Sequence, residues 1–177
     1  MTEMVAYLRT VGMPTVLQLG SDYTNATTTG TEITGLSFTL PAAGTYYVKW
    51  LLFMQSVATT TSPKFGVNYT GTATRMMAHA RFPSAGVSAA TGQIEGSVNA
   101  TTGQVWAYAA SITETTTAPD LGPWTGVVTA NENCLIEVSA MVVVSDTGDL
   151  ELWCGSEVST STITIVTGSS GVLIRTA

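Results

Sequence analysis

Charge is what this sequence has least of. Of its 177 residues, 10% are charged, against roughly a quarter in an average soluble protein. Six are basic and one is a histidine, and the net charge is −6. Nucleic-acid binders need basic stripes to displace counterions from phosphates, so nucleic acid is not expected as a partner. Two cysteines, Cys134 and Cys154, are too few for a metal cluster, and the single histidine, His79, lies far from both in sequence. No zinc-type ligand set can be assembled from them by spacing. No apolar run approaches the ~18 residues of a membrane-spanning helix, so no membrane partner is expected. The opening MTEMVAYLRTVGMP has neither a basic n-region nor an apolar h-region, unlike a signal peptide. Synthesis in a cytoplasm follows, where thiols stay reduced.

Sustained helical periodicity is missing too. Short alternating runs bounded by turn residues recur instead, the signature of an antiparallel β domain. Leu36, Phe38 and Leu40 alternate with Ser37 and Thr39, and Pro41 to Gly44 makes a turn. The next strand, Tyr46 to Gln55, is apolar on both sides. Tyr46, Val48, Trp50, Leu52 and Met54 form one face; Tyr47, Leu51 and Phe53 dominate the other, broken by Lys49. An antiparallel strand buried on both faces needs two neighbours. One is the domain's own core, and another subunit can supply the second. So little charge on a chain that is 45% hydrophobic also points to an oligomer with buried faces.

Further along, Phe65, Val67 and Tyr69 share one face. Met76, Ala78, Ala80 and Phe82 alternate with Arg75, Met77, His79 and Arg81, a basic row that reads as a solvated strand face rather than an anion site. Residues 83–102 read as loop with at most one weak strand, and Val105 to Ser111 as another strand. CLIEVSAMVVV, the turn Ser145 to Gly148, and DLELWCGSE read as a hairpin. In that register Cys134 and Cys154 fall several positions apart, so no disulfide is expected. In the Ser/Thr-rich end of the chain, Ile163 and Ile165 alternate with Thr162 and Thr164, Gly168 to Gly171 reads as a turn, and VLIRT as a last strand.

Little in this pattern can do chemistry. One histidine, and no Gly-x-Ser-x-Gly elbow before a helix, leave a hydrolase without a nucleophile and base. Asp146, Asp149 and Glu151 cluster at a turn, where such residues serve turn geometry, and SDTGDLE lacks the spacing of a calcium loop. There is no glycine-rich phosphate loop. The chain is therefore not read as an enzyme, and no cofactor or metal is expected. Glu137, inside an apolar strand, needs a charge partner or an interface. Trp124, in the loop TETTTAPDLGPWTG, is placed either to stack on a sugar ring or to pin its loop to the core.

Two stretches carry a resemblance. TGTEITGLSFTLPAAGTYYVKWLLFMQSVATTTSPKFGVN runs from a Gly-Leu-x-Phe strand through an Ala/Gly turn and an aromatic-apolar strand to Ser-x-x-Thr-Thr-Thr and Val-Asn. IEVSAMVVVSDTGDLELWCGSEVSTSTITIVTGSSGVLIRTA runs from Ile-Glu to a Ser-Glu-Val segment, an Ile-rich strand and a closing Gly-Ser segment. Together, over about half the chain, they resemble a β domain of virion structural proteins from tailed phages and prophages. The middle, Thr70 to Trp124, departs from that pattern. The resemblance implies an antiparallel jelly-roll or tumour-necrosis-factor-like β-sandwich, commonly a homotrimer, that decorates the capsid or forms fibre heads. With no fibrous shaft in the sequence, a capsid decoration protein that stabilises the shell is the favoured expectation. A tail or fibre adhesion module, binding a host-surface glycan through Trp124, is the alternative. The partners would be further copies of the chain and the major capsid protein, and the location the virion, after synthesis in the bacterial host. Residues 1–15 would form an arm or first strand, with 16–177 as the sandwich. In that arm Tyr7, Leu8, Val11 and Met13 could dock on the shell or on a neighbouring subunit, and Tyr47, Leu51 and Phe53 would lie near the trimer axis.

Overall fold

The alternation arises because each strand has one face on a shared core and the other facing out. The structure, a computed structural model, describes residues 13–83, 91–98, 104–105 and 129–176. Sheet A carries β1 (Thr15–Gln18) and β2 (Tyr23–Asn25) end to end along one edge. Next come β12 (Ile163–Ile165) and β13 (Ser170–Arg175), also end to end, and then β5 (Gly44–Ser56), β10 (Cys134–Val144), β7 (Ala73–Pro83) and β8 (Thr91–Val98). Sheet B carries β3 (Thr31–Glu32) and β4 (Phe38–Leu40) along one edge, followed by β11 (Gly148–Ser156), β6 (Pro63–Tyr69) and β9 (Gln104–Val105). Every pairing is antiparallel. The protein is thus an all-β, sandwich-like fold of two antiparallel sheets.

The core lies between the sheets. From sheet A it receives Tyr46, Val48, Trp50, Leu52 and Met54 of β5, Ile136, Val138, Ala140 and Val142 of β10, and Met76, Ala78 and Ala80 of β7. Sheet B contributes Phe38, Leu40, Phe65, Val67, Tyr69, Leu150, Leu152 and Cys154. The segment that composition makes look like a tail belongs to this core, through Ile163, Ile165 and Leu173. Each fully buried aliphatic or aromatic side chain contributes roughly 1.5–3 kcal/mol. The Ser and Thr between them lie on the outer face, where β-branched threonine suits a strand.

At one expected hairpin and two expected turns the chain does not double back within one sheet. Ser145 to Gly148 does not fold β11 back on β10: β10 pairs with β5 and β7, whereas β11 pairs with β3, β4 and β6. The turn is a corner that carries the chain from one sheet to the other. It is held by Asp146, whose Oδ1 accepts from the Thr72 amide at 2.7 Å and whose carbonyl accepts from the Tyr69 hydroxyl at 2.8 Å. The Thr72 amide also holds the Asp146 carboxyl below its ordinary range. Likewise Pro41 to Gly44 joins β4 of sheet B to β5 of sheet A.

Gly168 to Gly171 is the third case. Both β12 and β13 pair with the same strand, β5, in the same direction. From Ile165 to Ser170 the chain advances five residues while its partner advances three, from Met54 to Leu51. The segment is therefore a bulge in one long strand, not a reversal. Gly168 takes a φ of +92° there, which a residue with a Cβ adopts only under strain. The buried Ser169 hydroxyl accepts the Phe53 amide at 2.9 Å, replacing the ladder bond that the bulge removes.

Elsewhere the pattern expected from the sequence is found or extended. The region beyond Pro83 contains β8, an eight-residue strand paired along β7, longer than its Gly/Ser content suggests. The expected strand at Val105 to Ser111 is seen only at its start, as β9, and the rest lies outside the described residues.

Both cysteines are free. Cys134 begins β10 in sheet A and Cys154 lies in the core on β11 of sheet B. Burial pushes the Cys154 thiol well up, and burial together with Glu132 pushes up the half-buried Cys134. The thiolate is the reactive species. Alkylation of the native protein near neutral pH is expected to label Cys134 slowly and to leave Cys154 unmodified until the chain unfolds. Peptide mass spectrometry reads both; equal labelling rates would contradict the core position of Cys154.

Candidate interaction surface

The outward faces of the two sheets differ in kind. On sheet B the outward residues, Trp153 apart, are mostly polar and several are tied to one another. Thr39 donates to Asp149 at 2.7 Å, Ser37 to Glu32, and Asn68 to Glu151 at 2.6 Å. The outward face of sheet A is apolar.

Register puts that apolar surface in order. Phe53 of β5 stands opposite Leu135 of β10, and Tyr47 opposite Met141. Met141 in turn stands opposite Met77 of β7. On the other side of β5, Ile174 of β13 pairs with Tyr47 and Val172 with Lys49, and Val16 of β1 pairs with Val172. Leu51, Phe53, Met77, Leu135 and Met141 are each between 40% and 58% exposed. Cross-strand apolar pairs of this kind hold a sheet together, but here they also leave five large side chains in water.

One ion pair interrupts the face. Lys49 Nζ lies 2.8 Å from Glu137 Oε2, so the carboxylate that sequence left without a partner has one. The pair makes the centre of the patch neutral without an outside countercharge. It contributes little stability on a solvated surface, and its two charges stay matched if the face is covered. His79 and Arg75 stand opposite Ser139 and Val143 at one side of the same face.

Sequence reasoning placed Tyr47, Leu51 and Phe53 on one strand face, and the structure puts them on this surface. It did not find Leu135, Met141, Met77, Val172 and Ile174 as their neighbours. Their alternation was visible, but the pairing that brings them together is not a property of any single strand. Met13 is 80% exposed just before β1. Tyr7, Leu8, Val11 and Trp124 lie outside the described residues. Asp146, Asp149 and Glu151 each bond different partners. Among the described residues no group of three His, Cys, Asp or Glu could hold a metal ion, and no helix is long and apolar enough to cross a membrane.

No protein-family profile matches the sequence, and no curated protein matches it. Among solved structures the chain is similar to one in the structure of infectious bursal disease virus, Gt strain, at 14% identity and a TM-score of 0.22. That match covers 93% of this chain and 38% of the other. A chain from the Gx strain gives 13% identity and a TM-score of 0.23, with 94% and 38% covered. The VP2 subviral particle of the same virus gives 11%, 0.22, and 93% and 40% covered. The chain spans about two fifths of the length of these proteins. This is a weak structural similarity to a viral capsid protein, and at such TM-scores it decides nothing about function.

Proposed function

We propose that the chain is a virion structural protein of a tailed phage. In this reading it is a capsid decoration protein with a jelly-roll fold. It forms homotrimers through the outer face of sheet A and binds the shell, stabilising it by mass action because only the assembled lattice offers the site. The observation that carries the proposal is the largely apolar outer face of sheet A, its central charges matched in the Lys49–Glu137 pair, on a chain of net charge −6. Copies meeting through this face bury large apolar side chains while keeping Glu32, Asp149 and Glu151 on the opposite sheet, away from one another.

Strand order supports the jelly-roll reading. The chain changes sheet from β2 to β3, β4 to β5, β5 to β6, β6 to β7, β8 to β9, β9 to β10, β10 to β11 and β11 to β12. Four broken or whole strands, β1/β2, β12/β13, β5 and β10, face β3/β4, β11, β6 and β9, and the β7–β8 pair extends sheet A beyond β10. This interleaving supports the reading as two nested Greek keys. The resemblance of two sequence stretches to phage virion proteins supplies the biological setting. The glycan-adhesion alternative rested on Trp124, for which the described residues add nothing.

Assembly is tested first. Light scattering of the purified protein at micromolar concentration should give the mass of a trimer, and a monomer would refute the homotrimer. Phe53→Glu combined with Met141→Glu should leave the fold intact, since both side chains point outward. It should also raise the dissociation constant at least ~100-fold, because each carboxylate is desolvated in the interface. The shell is tested separately: the protein should bind expanded phage capsids and raise their thermal stability, and failure to bind them would overturn the decoration role.

A further inference from the structure

We propose that the outer face of sheet B, around Trp153, is a saccharide-binding site for a pyranose without a carboxylate. This goes beyond the assembly proposal and does not depend on it.

Trp153 points outward from β11, between the buried Leu152 and Cys154. The residue opposite it on β6 is Gly66, so no side chain stands beside the indole there. On its other side stands Glu32 of β3. An indole on an otherwise polar sheet face is the kind of flat apolar platform on which the C–H face of a sugar ring packs. The polar groups needed at the edge of such a ring are already fixed. Glu151, two residues earlier on the same face, accepts from Trp153 Nε1 at 2.8 Å and from Asn68 Nδ2 at 2.6 Å. Both bonds fall on Oε2. Among the described residues, Glu151 Oε1 and Asn68 Oδ1 make no hydrogen bond and can accept from ligand hydroxyls.

The arrangement is held before any ligand arrives. The indole edge, the carboxylate and the amide restrain one another, so little side-chain freedom is lost on binding. Sign of charge sets the ligand class. Carboxylates at Glu32 and Glu151 flank the platform, and a uronic or sialic acid would bring a third. Neutral and amino sugars avoid that repulsion. On the opposite side of the sandwich from the apolar face, the site stays open when that face is covered.

The test uses the full-length protein and four probes: glucose, galactose, N-acetylglucosamine and glucuronate. Binding is read by NMR from the indole N–H of Trp153, assigned by its loss in Trp153→Phe. At least one neutral sugar should shift this resonance saturably at millimolar concentration, with glucuronate bound at least ~10-fold more weakly. Asn68→Ala should weaken the neutral sugar several-fold with an unchanged circular dichroism spectrum. Glu151→Gln, which can still accept from the indole, should narrow the gap between glucose and glucuronate. Trp153→Ala has no indole N–H, so its binding is read from the sugar's own resonances by saturation transfer; it should lose about tenfold or more in affinity with an unchanged circular dichroism spectrum. No shift with any of the four sugars, or shifts unaffected by Asn68→Ala and Glu151→Gln, would overturn the site and leave the assembly proposal standing.

Discussion

Replacing Trp50 by alanine is expected to remove about 3–5 kcal/mol of folding stability, much of the ~5–15 kcal/mol typical of a domain. Trp50 is fully buried at the middle of β5, the central strand of sheet A. Its ring stands 6.2 Å from that of Phe38, which comes from sheet B, so the pair spans the sandwich. Its Nε1 donates to the Leu36 carbonyl at 2.9 Å. Alanine would leave a cavity too well walled to collapse and would orphan that carbonyl, adding about 1 kcal/mol. The neighbouring strand has made room for the indole. Gly171 of β13 stands opposite Trp50, and a Cβ there would lie 2.7 Å from Trp50 Cδ1. Gly171→Ala should therefore destabilise the native protein by about 1–3 kcal/mol and cost distinctly less in a Trp50→Ala background. Urea unfolding of the four proteins gives the coupling directly. Additive losses would mean that the glycine serves some other end than the indole.

How much of this was legible beforehand depends on what alternation can say. Along β5 the two-residue period separates Trp50 and its core neighbours from Tyr47, Leu51 and Phe53, and the structure keeps that division. The period tells which face of a strand is buried and not which strand lies beside it. Ser145 to Gly148 has turn chemistry that serves a hairpin and a corner equally well, and only the pairing of β11 with β6 decides between them. At Gly168 to Gly171 the glycines look like a reversal, yet the strand continues past a bulge. Its marker, the Ser169 hydroxyl replacing a ladder carbonyl, is a tertiary feature. The same limit applies to the surfaces. Tyr47 and Phe53 were visible as a face, but Leu135 and Met141 joined them only through register. Trp153 was read as part of a return strand, and its outward position over Gly66 comes from pairing with β6, 87 residues earlier in the chain.

Asn25→Asp, a change of one amide nitrogen to oxygen, should destabilise the protein by about 2–4 kcal/mol near neutral pH and far less in acid. Asn25 ends β2 in sheet A and is 7% exposed. Its Nδ2 donates to the Cys154 carbonyl of sheet B at 3.1 Å and to the Thr29 carbonyl at 3.0 Å. Its Oδ1 accepts from the Thr27 amide at 2.7 Å and the Thr27 hydroxyl at 2.9 Å. The side chain thus ties the crossing loop between β2 and β3 to both sheets. The Tyr23 hydroxyl, which donates to the same Cys154 carbonyl at 2.8 Å, completes the tie. An aspartate keeps the contacts to Thr27 but turns its second oxygen on two carbonyls. Burial and those carbonyls disfavour the charged form, so the folded state raises its pKa above the unfolded value of about 3.9. Below that unfolded value the acid is protonated in both states and its hydroxyl can still donate to one carbonyl. As pH rises above it the unfolded chain releases the proton more readily than the folded one, and the deficit grows until the folded group ionises as well. Asn25→Ala lacks any titrating group and should show a deficit that does not follow pH. Denaturation curves for both variants between about pH 4 and pH 8 separate the two cases. A flat deficit for Asn25→Asp would show that the amide does not donate to those carbonyls in the folded protein.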